Sequence, residues 1–209
     1  MRPYEKNPEA IRAAALAAVR REAALERFAP DMAEVALRVV LACGMAEVAD
    51  RLAFSADVAA RGAAALRSGA PVICDCAMVA AGITRRLLPG GNAVLCPAEE
   101  EAAERAAALG ITRAAAAADL WETGGAVIAV GSAPTALFRL LERLDAGAPP
   151  PAAVLAFPAG FVGAAESKAE LASDPRGVPF LTLRGRRGGA AMASAAVDAL
   201  SVLAAGGMQ

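Results

Sequence analysis

The stretch Ala-Ala-Val-Leu-Ala-Phe-Pro-Ala-Gly-Phe-Val-Gly-Ala-Ala-Glu-Ser-Lys, residues 152–168, decides the fold of this chain. Its apolar run 154–157 has the length of a strand buried on both faces, and a proline and a glycine end that run. Residues 164–171 then predict a helix with Glu166 in its first turn, where the helix dipole favours an acid. A strand that opens into a glycine loop and a helix is typical of ligand-binding edges, although an ordinary tight turn also needs such glycines.

The same pattern of short apolar run, loop and helix recurs along the chain. The predicted strands are residues 71–75, 93–96, 126–130, 154–157 and 178–183. Alternating strands and helices predict an α/β fold, with a mostly parallel five-stranded sheet flanked by helices and with its loops gathered at one edge. We expect a single domain over residues 1–209. N-terminal helices at 9–28 and 31–43 should precede the sheet, and a further helix is predicted at 78–86.

Length and charge restrict the class of protein. The 209 residues suit one large domain, and the net charge of −1 comes from interspersed acids and bases. Such a balance argues against a nucleic-acid or membrane-surface partner, because either would need a basic excess. The uncharged run 146–165 is long enough for a membrane span, but its prolines exclude one continuous helix. Since the N-terminus lacks a signal-peptide pattern, we expect a cytoplasmic protein.

Cysteine and histidine usage restricts the chemistry. The chain has no histidine, and its cysteines Cys43, Cys74, Cys76 and Cys96 show no Cys-x-x-Cys spacing. This composition predicts free thiols and no metal site. Without histidine, only a cysteine, acid or lysine with a shifted pKa could exchange protons near neutrality.

The chain also contains four longer motifs: Met-Val-Ala-Ala-Gly-Ile-Thr-Arg (78–85), Gly-Ser-Ala-Pro-Thr-Ala-Leu-Phe (131–138), Gly-Phe-Val-Gly-Ala-Ala-Glu-Ser-Lys (160–168) and Arg-Gly-Arg-Arg-Gly-Gly (184–189). Together these motifs resemble the precorrin-8X methylmutase family. The resemblance extends from about Pro8 to Leu200. It implies an α/β isomerase of cobalamin (vitamin B12) biosynthesis that moves a methyl group from C-11 to C-12 of a tetrapyrrole and yields hydrogenobyrinate or its cobalt counterpart. It also implies a homodimer that uses no cofactor.

The implied substrate, precorrin-8X, is a large apolar disc with many carboxylates. A pocket for this substrate needs guanidinium groups and backbone N–H donors. The glycine loops at 131, 160–163 and 188–189 could supply the N–H donors. A solvated surface role is common for a lone arginine, but Arg113 and Arg186 lie in or beside the motif loops. The substrate-binding residues implied are Ala15, Arg38, Cys43, Thr84, Asn92, Arg113, Ser132, Pro134, Thr135, Gly160, Phe161, Val162, Gly163, Arg186, Gly188 and Gly189.

The chain departs from the family pattern at its catalytic position. The family has Arg-x-x-His-x-x-Gly, and its histidine shuttles a proton to and from the macrocycle; here the run Arg38 to Gly44 has Leu41 in the histidine position. A substrate-contacting serine of the family is Ala15 here. Leucine cannot exchange a proton, so a loss of about 10²–10⁴-fold in rate is expected. From periodicity alone, Leu41 would be an ordinary core leucine.

Three hypotheses follow. The first is a methylmutase impaired by Leu41, and the second is a non-catalytic protein that binds or carries corrin intermediates. The third is a nucleotide- or phosphate-binding α/β protein, which is disfavoured because the glycine loops lack a Walker motif and a clear dinucleotide fingerprint. If the proton-transfer role has moved, the candidates are Cys43 and Asp75.

Overall fold

Six strands form the central sheet of the computed structural model, which describes residues 2–207. The strands are β1 Leu52–Phe54, β2 Val72–Cys74, β3 Val94–Leu95, β4 Val127–Val130, β5 Ala153–Ala156 and β6 Phe180–Leu183. Their order across the sheet is β1-β6-β5-β4-β2-β3. All neighbouring pairs are parallel except β1 and β6. The α/β class and the five predicted strands are confirmed, while the termini of the predicted domain, Met1 and residues 208–209, lie outside the described residues.

The sixth strand, β1, corrects the predicted count of five. It has only three residues and pairs antiparallel with β6, with Leu52 opposite Leu183. The ladder continues at both ends, because the N–H of Arg184 donates to the Arg51 carbonyl (2.9 Å) and the N–H of Ser55 to that of Phe180 (3.0 Å). A three-residue edge strand is too short to give a periodic signal in the sequence.

Nine α-helices connect and cover the strands within residues 2–207. They are α1 Pro8–Glu22, α2 Pro30–Cys43, α3 Val58–Arg67, α4 Ala77–Gly82, α5 Glu99–Leu109, α6 Arg113–Asp119, α7 Pro134–Asp145, α8 Ala164–Ser173 and α9 Ala190–Ala204. The predicted helices 9–28 and 78–86 are shorter in the structure. The residue that follows each helix, Ala23 or Ile83, has an extended backbone and packs in the core. A short 3₁₀ helix comes after it.

The sheet is buried on both faces. Along each central strand, alternate side chains enter two different cores, as the pleat requires. On β4, Val127 and Ala129 pack with α2, α3 and α9, whereas Ile128 and Val130 pack with α7. This two-sided burial explains why the strands appear in the sequence as continuous apolar runs. No helix in the described chain combines the length and apolarity needed to cross a bilayer.

The carboxyl ends of the parallel strands meet at one edge, which we call the carboxyl edge. The loops after β2, β3, β4, β5 and β6 all leave the sheet there. Because β1 is antiparallel to β6, the turn 46–51 that leads from α2 into β1 lies at this edge as well. The fold therefore brings most of the motif loops together, as the strand–loop–helix pattern predicts.

Candidate active site

Asp75, directly after β2, organises the loop between β4 and α7. Its Oδ1 accepts the N–H of Gly131 (2.9 Å), and its Oδ2 accepts those of Ser132 (2.8 Å) and Ala133 (2.9 Å). The expectation that this loop offers N–H donors to a substrate is therefore corrected, because the protein's own carboxylate occupies them. The same bonds disfavour Asp75 as a mobile base, since protonating it would weaken a buried charge-assisted network.

A cavity of about 530 Å³ opens beside this loop. One wall is formed by residues that follow β2 and β3, including Cys76 and Cys96, and the other by Thr112, Arg113 and Thr135. The hydroxyl of Thr112 donates to that of Thr135 (2.7 Å), so this pair keeps one hydroxyl hydrogen for a ligand. The described residues supply no carboxylate partner for the exposed Arg113. Nor do they hold a group of three or more potential metal-ligating side chains.

The loops after β5 and β6 are bonded to each other. The N–H of Gly160 donates to the Arg186 carbonyl (3.1 Å), and the N–H of Gly189 donates to the Phe157 carbonyl (2.7 Å). At Gly188 an added Cβ would lie only 2.2 Å from the Phe157 oxygen, so this close approach requires glycine. The two loops therefore form one unit, which we call the double loop (residues 157–163 and 184–189).

The double loop presents apolar and cationic groups to solvent. Phe161 and Val162 at its tip are 85% and 88% exposed, and the guanidinium of Arg186 stacks 5.0 Å from the centre of the Phe161 ring. The backbone N–H groups of residues 161–163 donate to no acceptor in the part of the chain that is described. Gly163 adopts a positive φ (77°) and approaches Pro134 of α7, which joins the double loop to the rest of the edge. An apolar ring system edged with carboxylates fits this combination.

A family model described as precorrin-8X methylmutase matches residues 10–203, which is most of the chain. The chain belongs to the precorrin-8X methylmutase family. A protein of that name from Pseudomonas aeruginosa is 51% identical over 95% of this chain and 97% of its own length. The cobalt-precorrin-8 methylmutase of Priestia megaterium is 32% identical over 99% and 93%, respectively.

A solved structure supports the same assignment. The precorrin-8X methylmutase of Thermus thermophilus superimposes with a TM-score of 0.86 at 36% identity, over 96% of this chain and 98% of that one. The resemblance inferred from the four motifs is therefore confirmed, and with it membership of an isomerase family that catalyses an intramolecular methyl transfer. The carboxyl edge described above is thus part of a methylmutase fold.

Leu41, the position at which the resemblance implies a histidine, lies on the last turn of α2. Leu41 is 39% exposed there, so the expectation of an ordinary core leucine is wrong. One turn earlier, Arg38 is committed to an ion pair with Glu34 (2.9 Å), and both side chains are mostly buried. Burial raises the pKa of the Cys43 thiol, which also donates to the Val40 carbonyl (3.3 Å). Cys43 therefore remains protonated at neutral pH and is disfavoured as a base.

Thr84 lies outside the 530 Å³ cavity, near a separate hollow. Both its N–H (2.9 Å) and its hydroxyl (2.6 Å) donate to the carboxylate of Asp198 on α9. Asp198 lines a hollow of about 460 Å³ between the end of α2, α4 and α9. Helix α4 separates this hollow from the larger cavity, since Ala77 lines one and Met78 the other.

Of the predicted site residues, Arg113 and Thr135 line the 530 Å³ cavity, whereas Asn92 and Ala15 lie away from both cavities. Asn92 precedes β3 and therefore lies at the opposite, amino edge of the sheet. Its amide donates to the carbonyls of Leu66 and Ala70 (2.8 Å each) and accepts the N–H of Gly90 (3.0 Å), so Asn92 is a structural clamp. Ala15 is half-buried on α1, a helix without a fully buried residue that packs on α2.

Sequence reasoning missed one buried cation of the edge, Lys168. It ends the motif 160–168, yet no role follows from the motif alone. The structure buries Ala164, Ser167, Lys168 and Leu171 together on one face of α8. The spacing i, i+3, i+4, i+7 is typical of the core-facing side of a helix. A lysine at such a position was the sequence feature that could have predicted a buried cation.

Proposed function

We propose that this chain catalyses the migration of a methyl group from C-11 to C-12 of precorrin-8X, which gives hydrogenobyrinate in cobalamin biosynthesis. The observation that carries the proposal is the pair Arg113 and Arg186, which are exposed at the carboxyl edge of a methylmutase fold without carboxylate partners in the described chain. The P. aeruginosa relative and a second at 49% identity are both named precorrin-8X methylmutase, which favours the cobalt-free substrate.

The carboxyl edge suits a flat polyacid. Guanidinium forks of Arg113 and Arg186 bind peripheral carboxylates, and the free N–H groups of residues 161–163 add donors at the start of α8. The exposed ring of Phe161 and the side chain of Val162 cover apolar surface of the macrocycle. Binding thus fixes the disc by its rim at the carboxyl edge.

The methyl shift is an isomerisation, so the ring loses and regains a proton without net change. Leu41 carries no group that can exchange this proton. Cys43 is protonated, and Asp75 is bonded to three N–H groups. Turnover should therefore depend on positioning alone and be about 10²–10⁴-fold slower than with a general acid–base.

The same observation favours a second candidate function, a non-catalytic protein that binds or carries corrin intermediates. Both functions use the same rim of arginines and N–H donors, and they differ only in whether a proton is exchanged near Leu41. The two are separated by activity after a histidine is introduced, because the binding groups remain unchanged.

The test combines a binding measurement with one substitution, Leu41→His. Titration with hydrogenobyrinate, followed by visible absorption, should show binding of one molecule per chain, and Leu41→His should raise turnover of precorrin-8X by about 10²–10⁴-fold. Leu41→Asn is the matched control, because it adds polarity without a group that titrates near neutrality. Absence of binding would contradict both functions, and an inactive Leu41→His protein that still binds would support the carrier.

We also propose a cytoplasmic homodimer that needs no cofactor. Support comes from apolar side chains left exposed in the single chain away from the double loop, including Ile11, Met78, Leu95 and Leu109. A second copy would cover such side chains in the way that subunit interfaces do. Sedimentation velocity should give twice the chain mass of 20.9 kDa, and a monomer at micromolar concentration would contradict this proposal.

A further inference from the structure

Lys168 is a buried cation that the proposed function does not use. Its side chain lies among the buried residues of α8 and is 1% exposed. Its Nζ donates to the backbone carbonyl of Arg187, at 2.5 Å. No salt bridge to a carboxylate is formed by this ammonium within residues 2–207.

Burial without a counter-ion is unfavourable for a lysine, and it lowers the pKa of Lys168 to about 8. The charged groups on the surrounding elements of the described chain are either exposed or paired with other residues. On α8, Glu166 is exposed and Glu170 pairs with Arg176 (2.7 Å). The double loop carries Arg184 (exposed), Arg186 (stacked on Phe161) and Arg187 (paired with Glu47). Helix α7, which packs on α8, carries Arg139 (paired with Asp119 and Glu142).

The carbonyl that Lys168 binds lies where the two halves of the double loop contact each other. Arg187 stands between Arg186, whose carbonyl accepts the N–H of Gly160, and Gly188, whose close approach to Phe157 leaves no room for a side chain. The side chain of Arg187 reaches outward to Glu47 (2.7 Å), whereas its carbonyl is held from inside by Lys168. The ammonium therefore anchors the peptide bond between Arg187 and Gly188, one residue beyond Arg186.

We propose that Lys168 is a positioning residue of the site: through the Arg187 carbonyl it fixes the backbone from which Arg186 meets a carboxylate of the tetrapyrrole. This inference rests on the proposed function. A purely structural role is a poor explanation, because an apolar side chain of similar length would fill the same space without desolvating a charge. Only the ammonium also gives a strong, charge-assisted bond to the loop.

The test uses Lys168→Met, which keeps the length of the side chain and removes its donor. Hydrogenobyrinate binding, measured by visible absorption, should weaken at least about 10-fold at pH 7. The matched control is Ser167→Ala, because Ser167 is equally buried on α8 but bonds only to Ala164 of its own helix. It should bind like the wild type, and both variants should retain cooperative unfolding.

Two further readouts separate positioning from packing. The Kd of the wild type should rise through pH about 8, as Lys168 loses its proton and its bond weakens, whereas Lys168→Met should show no such step. In a double-mutant cycle, Arg186→Gln should weaken binding strongly in the wild type and only slightly in Lys168→Met, because the anchor is already lost.

The outcomes are distinguishable from those that test the proposed function. If the wild type does not bind hydrogenobyrinate, the proposed function fails and this inference fails with it. If the wild type binds and Lys168→Met binds equally well, or if the two arginine effects simply add, only the role of Lys168 is contradicted. Should Lys168→Met not fold, a wild-type Kd that is flat between pH 7 and 9 would by itself overturn the inference.

Discussion

Asp75 shows at the scale of one residue how an acid at a strand end can be misread. In the sequence it is a candidate base at a ligand-binding edge, because carboxylates at such edges often serve that role. In the structure its two oxygens bind three consecutive N–H groups at Gly131, Ser132 and Ala133. The loop is therefore already occupied by an internal anion, and this fixes the start of α7 that carries Thr135.

Replacing Asp75 by asparagine should destabilise the fold without removing a catalytic group. The amide keeps one acceptor but directs an NH₂ group at a loop N–H, so we expect the free energy of unfolding to fall by about 2 kcal/mol. Urea denaturation measures this loss. Asp50→Asn is the control, since its ion pair is long and exposed and should contribute less than about 0.5 kcal/mol. Equal stability of the two variants would contradict the structural role of Asp75.

At the scale of the element, the double loop depends on one close backbone contact. Gly188 lies against the Phe157 carbonyl, where a Cβ would come within 2.2 Å of the oxygen. This contact joins the loops after β5 and β6 and so places Phe161 beside Arg186. The glycines of the motif 184–189 were visible in the sequence, but which one is needed for space and which for backbone conformation was not.

Gly188→Ala and Gly185→Ala separate these two needs. The Gly188 variant should lose about 3 kcal/mol of unfolding free energy and part of its tetrapyrrole affinity, because the loops must move apart. Gly185 has a positive φ (88°) and open space around its Cβ position, so its variant should lose only about 1 kcal/mol, from backbone conformation. Thermal and urea unfolding of both variants measure the difference. A smaller loss at Gly188 than at Gly185 would show that the contact between the loops is not required.

At the scale of the whole molecule, the chain has no histidine, and Lys168 introduces a proton equilibrium near neutral pH. Its pKa in the fold is about 8, against an ordinary value of 10.5. Between these values the unfolded chain holds a proton that the folded chain has released. Stability must therefore rise with pH in this window, and the cost of the buried charge is fully present below pH 8.

The dependence on pH can be isolated by comparison with Lys168→Met, which lacks this titration. From pH 8 to 10.5 the unfolding free energy of the wild type should gain about 3 kcal/mol relative to the variant, at about 1.4 kcal/mol for each pH unit. Guanidinium titrations at pH 7.5 and 10.5 measure it, with Ser167→Ala expected to follow the wild type. A constant difference between wild type and variant would mean that Lys168 is not buried as a cation.

The amino-acid sequence by itself determined the class of fold, the five parallel strands and the family. Strands buried on both faces form continuous apolar runs, and the loops that follow them carry long motifs with fixed order. The pattern around Arg38 and Gly44 also predicts that Leu41 occupies the family's histidine position, and this stays a prediction. These features are local, since each depends on residues close together in the chain.

Only the tertiary structure decided which polar groups remain available to a ligand. In the structure, the N–H groups of the 131–133 loop donate to Asp75, and Asn92 lies at the amino edge of the sheet. Leu41 is exposed, and Lys168 is buried with its ammonium bonded to the Arg187 carbonyl. The missed strand β1 has the same origin, because its pairing with β6 joins residues about 130 positions apart. The physical reason is that burial and hydrogen-bond partners depend on contacts between distant segments, which local patterns in a single sequence do not encode.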